Sequence, residues 1–369
     1  MMQFNFQMPT KVYFGEDCVK KNSKEMSGLG RKALIVTGGR SAKASGALSD
    51  ICGVLDGLNI EYEIFDKVEN NPSLETVKAG GIAAKKANAG FIVGIGGGSP
   101  LDASKAVAVL AVNDIEPEQL FSNVFQNKPL PIIAIPTTAG TGSEVTPFSV
   151  LTRRKEQEKT SFGTPDTFPV IAFLDPRYTE SMPYNVTVDT AVDTLTHCIE
   201  GYISKRSTPL TDIFAREGIR LFGQSLACLK SGNISRKDRE NLLYMSMLGG
   251  MVITHTRTTF IHAAGYYYTI FKDIPHGRAN GYFIGEYFRF NYEYAKSKID
   301  DILSLMGMDS IDTLDAEMKS LIGNPPVLRD DEIARYAAAS VTKSNTSYNI
   351  RPVSAADLEG IFKRMQGGL

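Results

Sequence analysis

The chain has 369 residues, of which 43% are hydrophobic and 22% are charged, a composition typical of a globular protein with room for two domains. Its formal net charge of -1, without a block of like charges, argues against a nucleic-acid or anionic-membrane partner, because such surfaces attract concentrated basic side chains. We find neither an apolar stretch of roughly 18 residues nor the pattern of a secretory signal. We therefore expect a cytoplasmic protein.

The first half of the chain alternates apolar, β-branched runs with segments of helical periodicity. The runs predict five strands, at residues 33–37, 62–65, 91–95, 132–135 and 170–174. Apolar strands that alternate with helices are typical of a parallel sheet covered on both faces, and right-handed crossovers then give a doubly wound fold. The ligand crevice of such a fold lies at the carboxyl ends of the strands.

Two of the predicted strands run into glycine-rich turns. The turns contribute as candidate cofactor-binding residues Gly96, Gly97, Gly98 and Ser99 in the first, and Thr137, Thr138 and Thr141 in the second. Glycines let the backbone approach a ligand closely, and the helix predicted to begin at Ser99 directs its positive end at a phosphate. Two such turns at the carboxyl ends of parallel strands predict a dinucleotide site. Neither matches the P-loop, which argues against kinase or NTPase chemistry.

Asp102 and Lys105 lie one turn apart on the helix that follows the first of these turns. From the spacing alone they either face the crevice or form a solvated ion pair on the helix surface.

The turn after the first predicted strand bears on the choice between NADP and NAD. It contains the candidate residues Gly38, Gly39 and Ser41 and no acidic residue to hold a ribose diol. The side chains of Arg40, Ser41 and Lys43 could instead hold a 2′-phosphate, which favours NADP. Asp66 favours NAD, because it ends the second strand, where Rossmann-type folds often place the acid that selects NAD. We predict NADP, with NAD as the alternative.

The spacing of apolar residues changes near residue 182. From about residue 184 onward, apolar residues recur at helical spacing and few β-branched runs remain. The sequence therefore predicts a dinucleotide-binding α/β domain at residues 1–182 and a helical domain, which binds metal and substrate, at residues 183–369.

Histidine is rare, with four in the chain, and the candidate metal ligands use three of them. Asp193 and His197 are spaced i, i+4, which places a carboxylate and an imidazole on one helical face. His262 has small neighbours that leave room for an ion, and His276 lies between a proline and a glycine, as in a loop. One carboxylate and three imidazoles suit Fe²⁺ or Zn²⁺ and are too nitrogen-rich for Mg²⁺ or Ca²⁺.

Spacing alone leaves this set open. Asp189 lies one turn before Asp193 on the same face, and Glu200 is nearby. His255 lies seven residues before His262, hence on the same side of a helix, and is a credible substitute for one of the histidines.

On these motifs the sequence resembles the iron-containing (group III) alcohol dehydrogenase family, nearly end to end. The resemblance is carried by residues 96–105, 136–144, 193–197, 262–263 and 275–277. It implies a Rossmann-like α/β domain followed by an all-α domain, with the active site in the cleft and the metal held by Asp193, His197, His262 and His276. It also implies that the glycine-rich loops bind the cofactor, with Asp102 near the nicotinamide. Glycine- and serine-rich versions of the turn at residues 38–41 go with NADP in this family.

The sequence departs from the family pattern one helical turn after His262. Many members have a second histidine there, often considered for proton transfer, and this chain has Tyr266. A phenol with an ordinary pKa of about 10 is a poor base near neutrality, so Tyr266, His255 and a water chain all stay candidates. The predicted catalytic residues are Asp102, His262 and Tyr266.

The predicted activity is reversible hydride transfer between NAD(P) and a small primary alcohol or diol, with the metal as Lewis acid. We expect a homo-oligomer, with a dimer favoured. The alternatives are a zinc polyol dehydrogenase of glycerol type, a dehydroquinate-synthase-like lyase, and a nucleotide-sensing module without metal. The apolar and aromatic surroundings of His262 argue against the lyase, whose phosphorylated or carboxylated substrate would need lysines and arginines.

Overall fold

A computed structural model describes residues 3–156 and 158–367. The chain forms two compact units, one spanning Gln7–Met182 and the other spanning residues 183–367 together with residues 3–6. None of the described helices is both long and apolar enough to cross a membrane.

The first unit contains a six-stranded sheet in which every pair of neighbouring strands is parallel. Its strands are β1 (Lys11–Phe14), β2 (Lys32–Thr37), β3 (Glu61–Phe65), β4 (Phe91–Gly96), β5 (Ile132–Pro136) and β8 (Ile171–Leu174), and a separate antiparallel hairpin is formed by β6 (Ser149–Arg153) and β7 (Glu158–Phe162). The order across the sheet is β1-β8-β5-β4-β2-β3. The predicted doubly wound sheet is confirmed, and the five predicted strands end within one residue of the observed ones.

Helices cover both faces of this sheet. They are α1 (Cys18–Lys21), α2 (Ser41–Ala44), α3 (Ala47–Gly57), α4 (Leu74–Ala87) and α5 (Gly98–Leu110). Successive residues of β2 point to opposite faces, so Ile35 packs into the core beneath α3 while Leu34 packs into the core beneath α4 and α5. The strands are therefore buried on both sides, which explains why they read as continuous apolar runs.

The winding of the sheet reverses between β2 and β4. From β2 the chain moves outward to β3 and then crosses to β4 on the other side of β2. Thr37 pairs with Ile95, and Gly96 pairs with Pro136, so β2, β4 and β5 end at one edge of the sheet. All three predicted cofactor turns follow these ends, at the switch point where doubly wound folds bind their ligands.

The second unit contains helices and no strand within its described residues. The helices are α6 (Tyr184–Ile203), α7 (Pro209–Ser231), α8 (Arg236–Thr256), α9 (Phe260–Lys272), α10 (His276–Gly281), α11 (Ile284–Met306), α12 (Ile311–Ile322), α13 (Asp330–Val341) and α14 (Ala355–Met365). This all-helical composition was predicted.

Two local predictions in this unit are wrong. His255 and His262 do not share a helix, because α8 ends at Thr256 and Arg257 adopts a left-handed φ of 63° before α9 begins. His276 does not lie in a loop either, since it is the first residue of α10 and Pro275 is its N-cap.

Candidate metal and cofactor sites

Three of the four predicted metal ligands converge in the second unit. Asp193 lies in the buried middle of α6, His262 in the first turn of α9, and His276 at the start of α10. The Asp193 Oδ1 atom is 3.7 Å from His262 Nε2 and 4.0 Å from His276 Nε2. One ligand atom from each residue lies within 4.8 Å of the other two. Asp193 is thus brought together with two histidines that lie 69 and 83 positions later in the sequence.

His197 lies beside this group and is not a member of it among the described residues. Its ring stacks against His262, with the ring centroids 4.8 Å apart and an interplanar angle of 19°. The i, i+4 spacing on α6 therefore brings His197 next to one of the converging histidines. Its role as a fourth ligand stays a prediction.

Glu200 of α6 binds the other nitrogen of His262. The Glu200 Oε2 atom is hydrogen-bonded to His262 Nδ1, and both side chains are buried. Because a carboxylate only accepts hydrogen bonds, this contact assigns the hydrogen to Nδ1 and leaves a lone pair on Nε2. Within the described part of the chain, the buried Nε2 atom has no hydrogen-bond partner.

This arrangement fits a divalent ion. The Nε2 lone pair of His262 and the Asp193 carboxylate are both electron-rich, and a cation between them would satisfy both. Burial alone would raise the pKa of Asp193, but positive charge at the three neighbouring histidine positions and a hydrogen bond from Asn280 hold it below its ordinary value, so the site favours a cation beside this carboxylate. A carboxylate with imidazole nitrogens is the donor set of iron and zinc.

Asn280 is a residue of this site that the sequence analysis missed. Its buried Nδ2 atom donates to Asp193 Oδ1 at 2.9 Å and lies 3.2 Å from His276 Nε2. Gly265 makes room for it, since a Cβ atom there would lie 2.1 Å from Asn280 Oδ1. The one available signal was its i, i+4 spacing from His276, because asparagine by itself is too common to stand out.

Asp189 and His255, which spacing left open as alternative metal ligands, bind other partners. Asp189 accepts a hydrogen bond from Arg278 Nε at 2.8 Å. The Nδ1 atom of His255 lies 2.9 Å from the Met251 carbonyl oxygen, and its ring stacks on Phe6 at 4.1 Å. Within the described residues, neither belongs to the group of converging ligand atoms.

Tyr266 lies one turn after His262 on α9 and contacts the candidate metal centre. Its ring stacks on His276 with centroids 5.1 Å apart and an interplanar angle of 14°. The residue that stands where many family members have a histidine is therefore adjacent to one of the converging imidazoles.

In the first unit, the two predicted glycine-rich turns touch each other. Helix α5 begins at Gly98, and its N-cap is Gly97, which has no side chain to cap the first N–H groups. A Cβ atom on Gly97 would lie 3.1 Å from Thr138 Cγ2, and one on Gly98 would lie 2.8 Å from Thr141 Cγ2. Glycines are therefore required for this contact between the turns. The Ser99 hydroxyl oxygen accepts from the Asn71 backbone at 3.0 Å.

Lys105 is fully buried, so the alternative of a solvated ion pair with Asp102 is wrong. Its Nζ atom donates to Ser143 Oγ at 2.7 Å and to the Phe148 carbonyl oxygen at 2.6 Å, and lies 3.7 Å from the Asp102 carboxylate. Burial lowers the pKa of Lys105 to about 8, against the opposing effect of Asp102. Lys105 therefore ties α5 to the segment that follows the second turn.

Asp102 reinforces the same connection. Its Oδ1 atom accepts from Ser143 Oγ at 2.5 Å, and its Oδ2 atom accepts from the Val150 backbone N–H at 2.9 Å. These contacts give Asp102 a structural use in addition to the predicted place near the nicotinamide, which stays a prediction.

Beside the turn at residues 38–41, Lys43, which favours NADP, forms an ion pair with Asp66, which favours NAD. Lys43 Nζ, on α2, is 3.5 Å from Asp66 Oδ2 at the end of β3, and both side chains are exposed. Gly38 lies close to the Val68 carbonyl oxygen, whereas the space beside Gly39 is open. Lys43 therefore offsets the charge of Asp66.

Comparison with known proteins assigns both units to one family, which is the family that the sequence motifs resemble. Residues 9–176 match the family described as iron-containing alcohol dehydrogenase, and residues 187–366 match the C-terminal part of the Fe-containing alcohol dehydrogenase family. The chain is 32% identical to 1,3-propanediol dehydrogenase of Klebsiella pneumoniae over 98% of each sequence. It is 29% identical to an NADPH-dependent butanol dehydrogenase of Clostridium saccharobutylicum over 97% of each.

The fold is also similar to a solved structure of an iron-containing alcohol dehydrogenase from Thermotoga maritima. The TM-score is 0.92 at 37% sequence identity, covering 99% of this chain and 100% of that one. The two family matches together span nearly the whole chain. The chain therefore belongs to the iron-containing alcohol dehydrogenase family and is a metal-dependent alcohol dehydrogenase that uses a nicotinamide cofactor.

Proposed function

We propose that the protein interconverts a small primary alcohol or diol and its aldehyde, with NADP as cofactor and Fe²⁺ held by Asp193, His197, His262 and His276. The observation that carries the proposal is the buried Nε2 atom of His262, which faces the Asp193 carboxylate at 3.7 Å beside His276. Two relatives support the substrate class, since one is named for propanediol and the other for butanol.

When bound, the metal acts as a Lewis acid on the substrate oxygen, and the nicotinamide accepts or delivers the hydride. The protein's own contribution is to hold the ligands before the ion arrives. Asn280 orients the Asp193 carboxylate through its 2.9 Å hydrogen bond, and Tyr266 covers one face of His276. For the proton we favour Tyr266, because its ring contacts His276 whereas His255 is occupied by Phe6 and the Met251 carbonyl. In aldehyde reduction the Tyr266 hydroxyl would donate its proton to the alkoxide oxygen and regain one from water, and alcohol oxidation would run the same steps in reverse.

The cofactor would lie against the three turns at the carboxyl edge of the sheet. Backbone N–H groups at the start of α5 would bind the pyrophosphate, which needs the close approach that Gly97 and Gly98 allow. Thr137, Thr138 and Thr141 offer hydroxyls from the neighbouring turn. The Thr137 hydroxyl is buried and has no hydrogen-bond partner among residues 3–156 and 158–367, which suits a ligand-facing group.

The preference for NADP over NAD rests on charge near the ribose. Arg40 and Lys43 are cations in the turn and helix that follow β2, and Ser41 begins α2 between them. Lys43 also offsets Asp66, whose carboxylate would otherwise repel a 2′-phosphate. The similar butanol dehydrogenase of Clostridium saccharobutylicum is NADPH-dependent, which supports this choice.

Replacing Lys43 with methionine should therefore shift the cofactor preference toward NAD. The substitution removes one cation and leaves Asp66 without its compensating charge. The ratio of kcat/KM for NADPH to that for NADH should fall about 5–10-fold, since an exposed charge contributes roughly 1 kcal/mol. Asp66→Asn should raise the same ratio.

The matched control is Lys32→Met. Lys32 forms a comparable exposed ion pair with Glu63 at 2.9 Å, but it begins β2, at the opposite end of the strand from the cofactor turn. This variant should leave the ratio unchanged. An unaltered ratio in both Lys43→Met and Asp66→Asn would show that the pair takes no part in cofactor choice.

The activity itself is tested by anaerobic reconstitution. Protein stripped of metal with a chelator should be inactive, and Fe²⁺ should restore oxidation of NADPH with short aldehydes, followed by loss of nicotinamide absorbance. Activity only with Zn²⁺ and a polyol would favour a polyol dehydrogenase. Full turnover by the metal-free protein would refute the proposal.

A further inference from the structure

We propose that Glu200 is a positioning residue of the metal centre, which keeps His262 in the tautomer that presents an unprotonated Nε2 to the ion. This inference rests on the proposed function, since it takes His262 as a metal ligand. Glu200 lies on α6, one turn after His197, and its side chain is completely buried.

The first carboxylate oxygen of Glu200 is saturated with hydrogen-bond donors. Its Oε1 atom accepts from the Thr259 backbone N–H at 2.8 Å, from the Thr259 hydroxyl at 2.6 Å and from the Ile261 backbone N–H at 3.1 Å. The two backbone donors are at the beginning of α9, where a negative charge is favourable. Glu200 thereby fixes the start of α9 against α6, and His262 lies in that first turn.

The second carboxylate oxygen decides the tautomer of His262. Because Oε2 accepts from Nδ1, the hydrogen of a neutral imidazole resides on Nδ1. In the other tautomer an N–H group would point at the Asp193 carboxylate, 3.7 Å away, and would block the lone pair that binds a metal. Glu200 therefore favours a ligand-competent imidazole over an internal histidine–aspartate hydrogen bond, as carboxylates behind metal-bound histidines do.

Glu200→Gln separates this role from a structural one. The three donors around Oε1 require an acceptor, so the amide oxygen must occupy that place and the amide NH₂ must face Nδ1. The NH₂ group donates to Nδ1 and drives the hydrogen to Nε2. The start of α9 keeps its hydrogen bonds, whereas the metal loses a lone pair.

We expect Glu200→Gln to weaken Co²⁺ or Fe²⁺ binding about 10–100-fold in a chelator competition, with little change in the thermal unfolding of the metal-free protein. Glu286→Gln is the control, because Glu286 is also a buried glutamate of this unit but bonds Arg289 and Arg364 instead of a histidine. It should bind metal as the wild type does. Wild-type metal affinity in Glu200→Gln would overturn the proposal.

A second measurement does not depend on the folding of the variant. The chain has four histidines, so histidine-selective ¹⁵N labelling can resolve the ring nitrogens of each in the metal-free wild type. At alkaline pH, where the ring is neutral, we expect His262 to be protonated on Nδ1 and unprotonated on Nε2, and the reverse pattern would overturn the proposal. If the wild type bound neither metal, the proposed function would fail, while this tautomer measurement would still stand.

Discussion

Replacing His262 or His276 with alanine should abolish both metal retention and turnover. Each substitution removes one of the three ligand atoms that lie within 4.8 Å of one another and leaves the buried Asp193 carboxylate opposite an empty volume. Because the metal supplies several kcal/mol of transition-state stabilisation, turnover should fall by roughly 10³-fold or more. Iron content per chain and aldehyde reduction are the two measurements.

The matched control is His255→Ala, which removes a histidine of the same unit. Its ring packs on Phe6 and its Nδ1 atom is bonded to the Met251 carbonyl, so its loss should disturb local packing and leave the metal ligands in place. The variant should keep one iron per chain and nearly full turnover. An iron-loaded, active His262→Ala, or an iron-free His255→Ala, would contradict the assignment of the site.

Replacing Lys105 with methionine should destabilise the first unit and weaken cofactor binding. Methionine has a similar length, but it leaves the Asp102 carboxylate without its cation and Ser143 and Phe148 without a donor in a buried place. Removing one partner of a buried ion pair costs about 3–5 kcal/mol of unfolding free energy. The second cofactor turn precedes the segment that Lys105 holds, so we expect weaker NADPH binding as well.

Lys78→Met serves as the control for this variant. Lys78 pairs with Glu116 on the surface, where ion pairs contribute little to stability. Thermal unfolding and NADPH titration should therefore be close to those of the wild type. If Lys105→Met unfolded at the wild-type temperature and bound NADPH equally well, the buried network would not support the cofactor loops.

Much of the sheet could be predicted because its central strands are buried on both faces. Continuous apolar runs mark β2, β4 and β5 directly in the sequence. The edge strand β1 has only four residues and a half-exposed burial pattern, and the β6–β7 hairpin is largely polar, so neither gives such a signal. The break between α8 and α9 was not predicted, because Arg257 adopts a left-handed conformation at a position where the sequence has no glycine.

The candidate site was predictable where rare residues carry it. Three histidines and an i, i+4 aspartate are conspicuous in a chain with four histidines. Spacing alone could not set Asp189 aside, because its partner Arg278 is 89 residues away in the sequence. Asn280 and the full set of contacts made by Glu200 depend on three helices meeting at one point, which no local spacing encodes.

The most direct test of the metal centre is an anomalous difference map from crystals of the iron-loaded protein, recorded at the iron absorption edge. We predict one strong peak per chain, roughly 2.0–2.3 Å from a carboxylate oxygen of Asp193 and from ring nitrogens of His197, His262 and His276. A peak coordinated by Asp189 or His255, or iron bound away from Asp193, would contradict the account.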